Sequence, residues 1–345
     1  MNFSIRNISR LRKAIGLRAE YKKLKRGFDL VIPVEGRYFV TTERGIFLIS
    51  PGKGRLLTQN PGYGLSFSGD MAFCSVDKDN ISRICMLPKE SLLDGTGCNK
   101  DKYTHVLYET PCRSSNGRIH QVTVMSDGRL LFTNTGRNSI AILDSGSGDI
   151  EEFTPFPDRF GVPIMDDHNH INSVIEYDGM IYFIAYKAGV KSLIGCIKGN
   201  DVKGFFYKNQ GMHDIYKTKQ GFLTLDTFGE GKGYAITEKG NICSEFLSNG
   251  EGYVLRGAAG NDTEWILGHS HKGPRKKRFE GRGGLIVIKN GQCSFIELPA
   301  SQVYQVIRYD GNFFDCSENK KSLFDSLTCY FGPPEYTAQT SCLPQ

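Results

Sequence analysis

The chain lacks every short motif that would announce a common chemistry. There is no C-x-x-C pair, no G-x-x-x-x-G-K-S/T, no dinucleotide fingerprint and no G-x-S-x-G. Without paired cysteines a structural zinc knuckle has no support. Without a phosphate loop or a nucleophile elbow, neither nucleotide hydrolysis nor serine-hydrolase chemistry has any. No apolar run approaches the roughly 20 residues of a membrane-spanning helix, and the first residues lack a signal peptide's apolar core. The ten cysteines stand singly, and a disulfide framework is not expected in a chain of this length without a secretion signal. A reducing, cytoplasmic compartment is the expectation. Lys and Arg number 43 against 37 Asp and Glu, a net charge of +6. That is less than a general nucleic-acid binder usually carries, so no nucleic-acid partner is expected.

Tryptophan occurs once and histidine seven times, whereas glycine occurs 40 times. Glycine scattered between short apolar runs is what many tight turns need. Phe28-Val34, Arg37-Thr42, Gly45-Ile49 and Arg55-Thr58 read as four short strands split by turn residues. The unit recurs along the chain, its later copies opening at Leu65, His120, Ile171, His213 and Tyr253. His120, His170, His213 and Arg256 mark the first strand of successive units, spaced about 43 to 50 residues apart. Asp127-Gly128, Asp178-Gly179, Gln220-Gly221 and Asp310-Gly311 place a glycine turn at a like offset. Four-stranded units at such a period predict an all-β chain folded as a six-bladed β-propeller over residues 28–316. Strands at Val303-Tyr309 and Asn312-Phe314 either close the ring against the first unit or begin a seventh blade. Closure is expected, because it removes exposed sheet edges.

Residues 1–27 differ. Nine basic residues face only Glu20, and Ile5, Ile8, Leu11 and Ile15 fall at helical spacing. A basic amphipathic helix is expected, either packed on the body or making peripheral contact with an anionic membrane surface. Residues 317–345 read as a loose tail with a short helix around Leu323-Leu327.

The first strand of each propeller blade lines the central channel, so His120, His170, His213 and Arg256 are expected to converge on one axis. Asp166-Asp167-His168-Asn169 precedes His170 in a loop over the channel, and Asn172 shares the strand face of His170. Gln121, Asp214, Asn134, Thr135, Asp226 and Lys187 are candidates for a surrounding layer. His269 and His271 share one strand face and could reach the rim. Three chemistries fit. Neutral imidazoles of His120, His170 and His213, with Asp167, can hold a divalent metal ion that activates water or oxygen. Alternatively His170 or His213 acts as base or nucleophile, with Asn172 in the same site and Arg256 and the other imidazoles stabilising an anion. The third is binding without turnover, as in a scaffold propeller. The expected substrate is small and anionic or glycan-like. The basic run Lys272-Gly273-Pro274-Arg275-Lys276-Lys277-Arg278 reads as a solvated hairpin loop.

His170-Ile171-Asn172-Ser173 resembles an element of the bacterial arylsulfotransferases, six-bladed propellers with a central histidine cluster. The resemblance covers the middle third of the chain. It implies a sulfuryl-transfer enzyme, a transferase with His213 as nucleophile, His120 as a sulfate-binding histidine, and His170 and Asn172 in the motif itself. The family's export signal, additional N-terminal β-domain and arginine after the motif are not matched here; Lys187 is the nearest basic residue. The same blade starts also resemble an uncharacterised bacterial propeller family, which implies no function.

Overall fold

The computed structural model describes residues 18–59, 62–94, 105–112, 118–156, 168–188, 191–199, 201–207, 211–218, 221–227, 232–236, 242–247, 253–261, 263–271, 273, 277–289, 292–311, 314–315 and 339–340. Among them, six antiparallel sheets form the blades of a six-bladed β-propeller. Burial explains the strand pattern. Second strands such as Leu130–Asn134 and Gly221–Asp226 are buried on both faces, and read as largely apolar runs. Outermost strands such as Lys53–Thr58 and Gln292–Leu298 face solvent on one side and alternate.

The core is divided among the blade interfaces. Phe39 and Leu48 of the first blade pack on Leu65 and Cys74 of the second. Phe73 and Ile84 of the second pack on Val122 and Phe132 of the third. Further clusters join the third to the fourth, the fourth to the fifth and the fifth to the sixth. The last, containing Val40, Phe47, Ile266 and Leu285, joins the sixth back to the first. Each blade covers its neighbour's apolar face, and the circle closes.

The closing strand is Val303–Arg308, which pairs with Tyr38–Thr42 and becomes the first blade's inner strand. Of the C-terminal strands, Val303–Arg308 therefore completes the first blade. The expected strand Phe28-Val34 is only Phe28–Asp29, an outer addition on Lys53–Thr58. The first blade needs no inner strand from there, because the chain's end supplies it. Gln339–Thr340 adds to the outer edge of the fourth blade, and Phe314–Asp315 runs parallel to the sixth blade's Tyr253–Asn261.

Residues 18–26 are helical. Leu24 is buried, and Tyr21 packs against the cluster between the first and sixth blades, while Arg18, Lys22, Lys23, Lys25 and Arg26 stay exposed. This part of the helix docks on the body with a solvated basic face; residues 1–17 and the expected helix at 323–327 lie outside the described residues. No helix among the described residues is long and apolar enough to cross a membrane.

Candidate functional site

The inner strands are laced together by side chains that accept backbone amides of the next blade. Leu65 N donates to Gln305 Oε1 at 2.7 Å, and Val174 N to Gln121 Oε1 at 3.1 Å. Ile215 N donates to Ser173 Oγ at 2.8 Å, and Gly257 N to Asp214 Oδ2 at 2.9 Å. This lacing defines equivalent positions. The residue just before each lacing side chain is His120, Asn172, His213 or Tyr304, and Tyr63 and Arg256 hold the matching places before Gly64 and Gly257, where an added Cβ would meet the next blade's backbone. At five of these six positions the inner strand bulges against its partner. Bulges re-aim side chains and recur beside functional sites.

The sequence spacing put His170 level with His120 and His213, but the lacing gives that position to Asn172. His170 stands two residues earlier, in the left-handed region at φ 52°. Its ring nevertheless lies 4.9 Å from that of His120, edge to face. The rings of His120 and His213 are 6.0 Å apart. All three imidazoles are buried, and each offers a nitrogen within 4.8 Å of the others. The chain thus brings His120, His170 and His213 together.

The surroundings keep two of these rings neutral. Burial holds His120 well below the usual imidazole range, and the neighbouring His170, His213 and Arg256 add to the shift. Burial likewise lowers His213 to about 4, with Asp214 opposing and Arg256 reinforcing the shift. Asp214 Oδ1 lies 3.1 Å from His213 Nδ1, but the two are not aligned as a hydrogen bond; their interaction is electrostatic. The centre also holds polar atoms without hydrogen-bond partners among the described residues: Gln121 Nε2, Asn172 Oδ1, His213 Nε2 and Arg256 Nε. Buried polar atoms are normally satisfied, and exceptions mark functional places. Three buried imidazoles with no thiolate beside them suit a divalent transition metal ion.

The other half of the ring is different. Tyr63 and Tyr304 have ring centroids 4.1 Å apart, and Tyr63 lies 4.7 Å from the His120 ring. Burial, with Tyr63 and Glu43 nearby, pushes the Tyr304 phenol well above its ordinary value, so it remains a donor. Arg118, paired with Asp77 at 3.4 Å, lies over Tyr63. Opposite, the Tyr186 ring is 5.1 Å from that of His170. Phenols thus flank the imidazoles at two points, Tyr63 beside His120 and Tyr186 beside His170.

The remaining candidates separate. Asn169 is buried and His168 exposed. Asp166 and Asp167 lie outside the described residues, as does the Lys187 side chain. Asn134 turns outward to Tyr108 and Glu152. His269 packs 5.0 Å from Phe295 within its own blade, where burial lowers it to about 4; it is a core residue. Of the described part of the basic run, Arg278 lies near the site: its charge, like that of Arg256, opposes the upward shift that burial imposes on the Tyr186 phenol. Sequence reasoning missed Tyr63 and Tyr304. Their signal was positional, two residues before Leu65 and Val306, as His120 stands two before Val122.

No protein-family model matches the sequence, and no curated protein matches it. Solved structures do. A virginiamycin B lyase from Staphylococcus aureus is 18% identical over 79% of this chain and 74% of its own, with a TM-score of 0.45. A protein of unknown function from Bacteroides caccae is 12% identical over 80% and 98%, with a TM-score of 0.55. A chain of a nidogen/laminin complex is 8% identical over 79% and 97%, with a TM-score of 0.51. At these identities the likeness is one of fold.

Proposed function

We propose that the protein is an enzyme whose active site is the polar centre of the ring, using a divalent transition metal ion on a small anionic or glycan-like substrate. The observation that carries this reading is the convergence of three buried imidazole nitrogens within 4.8 Å. Two of those rings are held neutral at pH 7 by burial. A metal ion there would supply Lewis acidity and activate a bound water. Asn172 and Arg256 would hold the substrate's charged group, and Tyr304 would donate to an oxygen on which charge develops. The three histidines need no carboxylate to complete a metal site with an open position. Asp167 therefore remains an additional ligand candidate.

A second reading, group transfer with His213 as nucleophile, draws support from one feature. His213 is neutral at pH 7, and its buried Nε2 has no hydrogen-bond partner among the described residues. The sulfuryl-transfer chemistry suggested by the His-x-Asn-Ser element belongs to this reading.

The test is elemental analysis of the purified protein, with Co(II) and Zn(II) titrations of the metal-stripped form. Saturable one-site binding lost in His120→Ala, His170→Ala and His213→Ala alike is the expected result. Absence of binding would sink the metal reading. Group transfer would then be tested by trapping a modified His213, and a scaffold propeller would remain if no turnover is found.

A further inference from the structure

We infer that the tight turn carrying Thr135 and Asn138 is a positioning clamp for the imidazole centre. It fixes the tautomer of His120 and holds His170 in its left-handed conformation. The clamp rests on hydrogen-bond geometry; its effect on metal affinity rests on the metal reading above.

Consider first which nitrogen of His120 carries the proton. Nδ1 lies 2.9 Å from the carbonyl oxygen of Arg118 and 2.9 Å from Thr135 Oγ1. A carbonyl only accepts, so Nδ1 is the protonated nitrogen. The single hydroxyl hydrogen of Thr135 is already committed, donating to the Ile171 carbonyl at 2.6 Å. Thr135 therefore presents a lone pair to His120, and Nδ1–H is shared between two acceptors. A neutral imidazole has one N–H, so Nε2 is left as the lone-pair nitrogen, the form a metal ion requires.

The same turn reaches the neighbouring blade twice. Thr135 Oγ1 takes the carbonyl of Ile171, just after His170. Asn138 Oδ1 accepts the amide of Asn169, just before it, at 2.8 Å. His170, at φ 52°, lies between the two grips. A non-glycine residue there is strained unless its surroundings over-determine it. The turn is itself rigid: Thr135–Arg137 is a single 3-10 turn ended by Asn138 at φ 51°, whose amide bonds back to the Thr135 carbonyl at 3.2 Å. Thr135 and Asn138 are fully buried, so water does not compete for these bonds. The two side chains thus set His120 and His170 relative to each other without themselves facing a ligand.

The experiment compares wild type, Thr135→Val, Thr135→Ser and Asn138→Gly. The valine keeps the shape and removes the hydroxyl. The serine restores the hydroxyl. The glycine keeps the left-handed backbone and removes the amide. Co(II) affinity is measured by absorption titration of the metal-stripped protein, and the His120 tautomer by long-range proton–nitrogen correlation without metal. Groups that orient metal-bound histidines typically account for about 10- to 100-fold in affinity. Thr135→Val and Asn138→Gly are expected to weaken Co(II) binding by that factor, and Thr135→Ser to recover it. The metal-free wild type is expected to show His120 protonated on Nδ1. Co(II) binding unchanged in both the valine and glycine variants, or His120 protonated on Nε2, overturns the clamp. A wild type that takes up no Co(II) ends the metal reading instead, and the tautomer still decides the clamp. Should Thr135→Val fail to fold, Asn138→Gly carries the comparison.

Discussion

The hydroxyl of Tyr38 donates to Oε1 of Glu264 at 2.7 Å across the seam between the first and sixth blades. The carboxylate also accepts the amides of Glu35 at 2.8 Å and Gly36 at 3.2 Å. Glu264 is fully buried, so these donors are what compensate its removal from water. It lies at the end of the strand Glu264–His271 away from His269, which pairs with Leu255 beside Arg256. Glu264→Ala leaves Tyr38 and two amides unsatisfied, and is expected to cost about 3 kcal/mol or more. Tyr38→Phe removes one bond to a charged group, worth about 1.5–3 kcal/mol. Denaturant unfolding measures both. Co(II) affinity is expected to stay at the wild-type level in both variants, separating the seam from the site.

Gly257 gives a second stability test. Its φ is 77°, and an added Cβ would lie 2.5 Å from the backbone nitrogen of Val306. The sixth blade's inner strand approaches the closing strand there, just after Arg256. Gly257→Ala combines left-handed strain with a backbone clash, and is expected to destabilise by about 2–4 kcal/mol. Gly52, with φ 73° and nothing near its Cβ position, carries only the strain; Gly52→Ala is expected to cost about 1 kcal/mol. Equal costs would mean that the close approach is not a constraint.

Much of this was legible in the sequence, for identifiable reasons. Second strands such as Leu130–Asn134 are buried on both faces and show as apolar runs. Histidine is scarce, so His120, His170 and His213 stood out. The bulges were not legible, because an extra residue in one strand leaves no mark on hydrophobic alternation. That is why His170 was read as level with His120 when Asn172 holds the place. Tyr63 and Tyr304 escaped because a phenol shows no charge change near neutral pH, and because aromatic residues on inner strands look like core. Thr135 could be assigned only from the path of its hydrogen.

The metal-free protein should lose stability on acidification. His120, His213 and His269 are all lowered by burial, His213 and His269 to about 4. In the unfolded chain the same rings titrate near ~6.5. Below ~6.5 the unfolded state therefore binds more protons, and stability falls with pH until His213 and His269 protonate near 4 in the folded protein. Glu43 and Asp77 are raised by burial and act with the opposite sign, offsetting part of the loss above their unfolded values near ~4. The histidines prevail over most of the window, because their unfolded pKa lies about two units higher. Melting temperature between pH 7.5 and 5 should drop, and His213→Gln should flatten the slope. A melting temperature that rises over that interval would contradict the neutral-imidazole assignment.

Arg256 separates holding a metal ion from holding a substrate. It shares the ring position of His120 and His213, yet a guanidinium cannot ligate a cation. Its buried Nε has no hydrogen-bond partner among the described residues, and its charge helps to hold His120 and His213 neutral. Arg256→Gln removes that repulsive charge from beside the imidazoles, so Co(II) binding should stay as tight as in wild type or tighten. Anion binding should respond the other way. With sulfate or acetate as probe, the shift of the bound Co(II) absorption bands should need about tenfold more anion in Arg256→Gln, since one lost charged contact is worth about 1.4 kcal/mol or more. Each alanine replacement of His120, His170 or His213 should abolish the Co(II) bands themselves. If Arg256→Gln loses the metal as fully as the histidine variants do, the guanidinium is part of the centre's architecture and not its anion contact. If it keeps both metal and anion affinity, the substrate's charge is held elsewhere, and Arg118 and Arg278 are the next residues to change.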